Sequence, residues 1–122
     1  MFNILAVFVG GGLGASLRYI VTLISNKMFG FAHAGTLSAN IAGCLLIGYI
    51  FGLTMQKSDF FPPQVKLFLT VGFLGGLTTF STFSNESFCL LKDGKIFHCA
   101  IYMFLSLFLG LVATFAGYMI AK

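Results

Sequence analysis

Charge is what this chain has least of. Lys, Arg, Asp and Glu together make up 8% of its 122 residues while 58% are hydrophobic, against about 25% charged residues in an ordinary soluble domain. No water-facing surface can be built from so few charges. Their distribution excludes a greasy soluble protein as well: Met1 to Leu17, Met28 to Gln56, Leu67 to Asn85 and Ile96 to Ala121 contain no Lys, Arg, Asp or Glu at all. A bilayer-spanning helix needs about 17 to 25 apolar residues, so each stretch qualifies, the first by running past Arg18. Four spans use almost the whole chain and are expected to leave no length for a soluble domain.

Other shortages narrow the function. The acidic residues are Asp59, Glu86 and Asp93 alone, and only Glu86 falls in a span. The three cysteines, Cys44, Cys89 and Cys99, lie in or beside apolar stretches with no metal-type spacing, and read as packing thiols. The basic residues are scattered singly, which excludes a nucleic-acid surface and makes them span-end anchors. No basic residue precedes the apolar run from Ile4 and no small-residue cleavage site follows it, so the first span reads as retained, not as a signal peptide. His33 and His98 fall at span ends and read as interfacial. With no Ser-His-acid set, metal-ligand cluster or phosphate loop, an enzyme is excluded.

The expected fold is all-α: a single membrane domain, residues 1–122, with helices at about 3–25, 34–55, 64–91 and 95–121. Short connections follow, an Asn26 to His33 turn, a Gln56 to Pro63 loop and Lys92-Asp93-Gly94, making successive helices antiparallel neighbours. Small residues recur at four-residue spacing, as in Gly10 with Gly14, Gly35 with Ala39 and Gly43, Gly48 with Gly52, Gly72 with Gly76, and Ala113 with Gly117. In lipid, where no hydrophobic force drives helices together, such pairs let backbones approach closely. Lys57, Lys66 and Lys122 lie on one side of the membrane, and Lys27, Lys92 and Lys95 on the other, with Arg18 deeper on that half. Cytoplasmic loops are normally richer in Lys and Arg. A chain balanced three against three is free to insert both ways up, which makes an antiparallel dimer of identical subunits physically natural.

The third span departs from a plain helix at Gly75-Gly76-Leu77-Thr78-Thr79-Phe80-Ser81-Thr82-Phe83-Ser84, where paired glycines precede five hydroxyl side chains. A break near 75–79 would free carbonyls on one side and N–H groups on the other, a cation site beside an anion-friendly dipole, and must be buried in protein or line water. The alternative is an unbroken helix whose hydroxyls bond back to their own turn. Phe80 and Phe83 share a helical face near Thr79 and Ser84, either as packing or as ring edges whose positive potential could line an anion path. Asn40, a turn from Thr36, either bridges helices or donates its amide to a passing anion. In the fourth span Tyr102, Ser106, Gly110 and Thr114 form one polar or small stripe, which must face protein or water. Arg18 and Glu86 are the costly charges at depth: Arg18 either snorkels to the interface or concentrates anions at a pore mouth, and Glu86 is paired to a cation or to Tyr102, or protonated.

These residues resemble the CrcB, or Fluc-type, family of bacterial fluoride channels. The likeness covers the full chain and rests on Gly11 to Tyr19 (GGLGASLRY), Gly35 to Gly43 (GTLSANIAG) and above all Gly72 to Ser84 (GFLGGLTTFSTFS). It implies a dual-topology antiparallel homodimer in the bacterial inner membrane, lowering cytoplasmic fluoride by passive, selective export. It implies a structural, untransported sodium ion at the dimer centre, held by the backbone carbonyls of Gly75 and Thr78. By the same likeness Asn40, Thr79, Phe80, Ser81, Thr82, Phe83, Ser106 and Thr114 line the fluoride path, Arg18 stands at its entrance, and Glu86 and Tyr102 belong to a polar track. Gly110 departs from the pattern by leaving a gap where a hydroxyl is expected. The rival reading is a small proton-coupled multidrug exporter, also four-span, but one that needs a carboxylate in its first helix, where this chain has none.

Overall fold

The computed structural model describes residues 1–30 and 33–122, so part of the expected Asn26 to His33 turn lies outside the described residues. Helix α1 runs Phe2–Phe29 and α2 runs Ala34–Gln56. The third span is composite: α3 (Pro63–Leu67), a π-helical stretch Phe68–Leu74, a short α4 (Gly75–Leu77) and, past a break, α5 (Phe80–Lys92). The last helix, α6, runs Ile96–Ala121. The described residues thus form four helical spans long and apolar enough to cross a membrane, the third of them broken.

The ends follow local chemistry. α1 continues four residues beyond the expected Ser25 because Gly30 takes the left-handed conformation (φ 73°), donating its N–H to the Asn26 carbonyl at 3.2 Å. Asn26 then accepts from the N–H of Gly35 at 3.1 Å, tying the start of α2 to the end of α1. Pro62 is extended and Pro63 opens the third span, where its missing N–H costs nothing. Gly94, also left-handed (φ 77°), turns the chain from α5 into α6.

The exterior is apolar and the interior small, the reverse of a soluble domain. Phe8, Leu13, Phe104, Leu111 and Phe115 are exposed while the buried set is led by Ala34, Ala39, Leu74 and Leu77. The four-residue small pairs close two seams. On one, α1 lies against the third span backbone to backbone: a Cβ added at Gly10 would sit 2.6 Å from the Phe68 carbonyl, and one at Gly72 3.0 Å from that of Val7. On the other, α2 and α6 interlock, Gly48 under the carbonyl of Thr114 and Gly117 under that of Leu45. One seam sets the third span's midpoint against α1 and the other sets α6 against α2, the helix of Asn40, and together they position the site.

Candidate functional site at the break of the third span

Thr78 (φ −87°, ψ 157°) and Thr79 (φ −149°, ψ 124°) are both extended, placing the break at the later end of the expected window. The sequence cuts the helix here by giving the backbone better partners than its own turn. Thr78 donates both its N–H and its hydroxyl to the Leu74 carbonyl, each at 3.0 Å, closing the first half. Thr79 opens the second half as a cap, its hydroxyl accepting the N–H of Thr82 at 3.2 Å. Asn40 supplies the rest. Its Oδ1 accepts the Thr79 N–H at 2.8 Å and its Nδ2 donates to the Thr79 carbonyl at 3.1 Å. The amide thus bridges helices through backbone, and one Nδ2 hydrogen is left for a further acceptor.

Arg18 also reaches the break, its Nε donating to the Gly76 carbonyl at 3.0 Å from half-buried surroundings. The side chain therefore caps the C-terminal end of the first half-helix, where a positive charge meets the negative end of the dipole. None of these bonds engages the carbonyls of Gly75 or Thr78, which have no hydrogen-bond donor among the described residues. Gly75 itself is exposed.

Beside the break lies an open cleft of about 390 Å³, lined among others by Asn40, Cys44, Thr78, Thr79, Phe80, Phe83 and Ser106. Its walls are mostly apolar, yet the Ser106 hydroxyl is buried without a partner among the described residues. Phe80 and Phe83 both line the cleft, with ring centroids 5.9 Å apart and planes tilted 50°. Phe83 is buried, at 8% exposure, whereas Phe80 stands 77% exposed at the cleft's open side.

Behind Phe83 the polar groups continue. Its ring centroid lies 5.3 Å from that of Tyr102. Tyr102 donates its hydroxyl to Glu86 at 2.8 Å, and Thr36 donates to the other carboxylate oxygen at 3.1 Å. Of the partners open to Glu86 in the sequence, Tyr102 is the one realised. His33 joins this group, its Nδ1 3.5 Å from the same oxygen as Thr36 and its ring centroid 4.9 Å from Tyr102. The sequence gives Thr36 and His33 one signal as site residues, their position one and two turns before Asn40, with His33 at the N-cap of α2.

Other expected residues lie elsewhere. Ser81 and Thr82 occupy the first turn of α5, with Thr82 bonded to the Thr79 hydroxyl and Ser81 exposed. Thr114 turns its hydroxyl back to the Gly110 carbonyl at 3.0 Å and is absent from the cleft wall. The described residues contain no group of His, Cys, Asp or Glu able to hold a metal, so any cation here would depend on carbonyl oxygens.

The chain matches the family described as CrcB-like protein, Camphor Resistance (CrcB), over residues 5–118. It is 48% identical to a Flavobacterium psychrophilum protein named fluoride-specific ion channel FluC, covering 100% of this chain and 98% of that one. A Bacteroides fragilis protein of the same name is 42% identical, with 96% and 94% covered. A third, from Chlorobium phaeobacteroides, is 39% identical, with 98% and 92% covered.

Proposed function

Since this chain belongs to the CrcB family of multi-pass membrane proteins, we propose that it is a fluoride-selective channel of the bacterial inner membrane, not an enzyme, and that ions pass beside the break of its third span. The carrying observation is the cleft itself, which joins an aromatic pair, a spare amide hydrogen on Asn40 and the unpartnered Ser106 hydroxyl. Such a surface suits a small, strongly hydrogen-bonding anion. Donors replace part of its water, ring edges offer positive potential, and no carboxylate lines the wall to repel it. Glu86 is set back behind Phe83, already held by Tyr102 and Thr36.

The working unit in this reading is a homodimer. α5 exposes Ser81, Ser84 and Asn85 at membrane depth, along with Phe80 on the cleft's open side. Lipid cannot satisfy such polar groups, so protein must cover them. A second copy is the simplest cover, and the even split of lysines across the two sides favours its antiparallel insertion. The Gly75 and Thr78 carbonyls suit a hard cation such as sodium, since they are oxygen donors left without a protein partner. Bound there, the ion would supply fixed positive charge and offset the cost of bringing an anion into a low-dielectric site.

Growth tests the reading in cells. A bacterium stripped of its own fluoride export and given this chain should grow at fluoride concentrations that arrest the parent, while internal fluoride stays near the external level. Unchanged sensitivity, with the protein present in the membrane, would overturn it.

A further inference from the structure

α6 carries its polar stripe at four-residue steps, and the stripe fails at Gly110, which has no side chain to offer between Ser106 and Thr114. What stands beside that place comes from the facing helix. Cys44 stands one turn beyond Asn40 on α2, on the same face, and lines the same cleft as Asn40 and Ser106. Among the described residues a Cβ built at Gly110 would meet one neighbour, the Sγ of Cys44, at 3.4 Å. The thiol is thus in van der Waals contact with the place a β-carbon at position 110 would take. It is half-buried and, unlike Cys99, whose sulfur lies 3.4 Å from the Ser87 carbonyl and is spoken for, it makes no hydrogen bond among the described residues. Ser106, whose buried hydroxyl is equally unpartnered among the described residues, lines the same cleft. Two free weak donors from two helices converging on one cavity describe a place for an acceptor, not a packing plug.

We infer that Cys44 is a pore-lining residue of this channel, its S–H supplying from α2 the donor that Gly110 withholds on α6. The inference rests on the fluoride-channel reading. A thiol is a weak donor, but a polarisable one, and in a cavity with few polar groups its loss is felt. Cys44 and Gly110 are thus neighbours across α2 and α6, so that a hydroxyl placed at 110 would stand beside the thiol.

Fluoride efflux from liposomes tests it with four variants checked for a single folded species by gel filtration. Cys44→Ser should keep the native rate within about twofold, and Cys44→Ala should slow efflux roughly five- to tenfold, the loss of one hydrogen bond worth about 1 kcal/mol. Cys44→Ala with Gly110→Ser should recover the rate, while Cys44→Ala with Gly110→Ala should not, because it restores volume without a donor. Recovery by both double variants, or an undiminished Cys44→Ala, would make Cys44 a packing residue and overturn the inference. If Cys44→Ala does not fold, the near-isosteric pair Cys44→Thr and Cys44→Val decides: equal rates overturn it, a slow Val beside a fast Thr supports it. Absence of efflux from the native protein would instead sink the channel reading itself, which keeps the two failures distinct.

Discussion

Asn40 holds Thr79 by both of its backbone groups, accepting from the N–H at 2.8 Å and donating to the carbonyl at 3.1 Å. One side chain on α2 thereby pairs both backbone groups of the residue at which the third span breaks. Asn40→Asp keeps the acceptor and loses the donor, leaving the Thr79 carbonyl unpaired beside a new negative charge. The expected outcome is a stability loss of about 1–3 kcal/mol with fluoride efflux reduced far more than tenfold. Thermal unfolding in detergent and liposome flux check the two parts separately. Native stability with native flux would show that the clamp is dispensable.

Thr79 also caps α5 through its hydroxyl. Thr79→Ser retains that acceptor and should be nearly silent, whereas Thr79→Val should cost about 1 kcal/mol of stability, the usual worth of a helix cap. Unfolding midpoints of the two variants provide the comparison.

The seam between α1 and the third span makes a sharp positional prediction. A Cβ at Gly14 would overlap the Phe73 carbonyl, and one at Gly76 that of Gly11, whereas a Cβ at Gly12 meets nothing within 4 Å among the described residues. Gly14→Ala and Gly76→Ala should each destabilise by about 1–3 kcal/mol or more, because backbone has to move to admit the methyl. Gly12→Ala, on the outer face of the same helix, should be neutral. Gel filtration after graded heating separates them.

Glu86 has two donors on its two oxygens, Tyr102 and Thr36. Tyr102→Phe and Thr36→Val should each slow efflux, and the double variant should be slower than either but by less than the product. Residues sharing one carboxylate couple by about 0.5–3 kcal/mol. A strictly multiplicative result would show that the group does not act as a unit.

Much of this architecture was legible in the residues, and the exceptions have physical causes. The four spans follow from charge-free stretches, because a membrane imposes length and composition directly. The break showed in Gly75 to Ser84, where glycines and hydroxyls cannot face lipid. It remained ambiguous between a broken and an unbroken helix, because the deciding partner, Asn40, lies 39 positions from Thr79 and no local pattern joins them. The π-helical stretch Phe68–Leu74 was not legible at all: its letters are those of an ordinary apolar span, and it lies where Gly10 and Gly72 bring two backbones together. Arg18 could be placed at depth but not against the Gly76 carbonyl, and no local pattern sets the sulfur of Cys44 beside Gly110. Composition gave the solvent, and only the packing gave the partners.

The central claim, a fluoride path beside the broken third span, is tested most directly by efflux from liposomes holding the purified protein. Fluoride and chloride are measured in turn, with a Phe80→Ile, Phe83→Ile double variant alongside. Rapid fluoride efflux, no chloride efflux, and loss of the fluoride signal in the double variant are the predicted result. A folded native protein that releases no fluoride, or a double variant that conducts as well as the native chain, would contradict it.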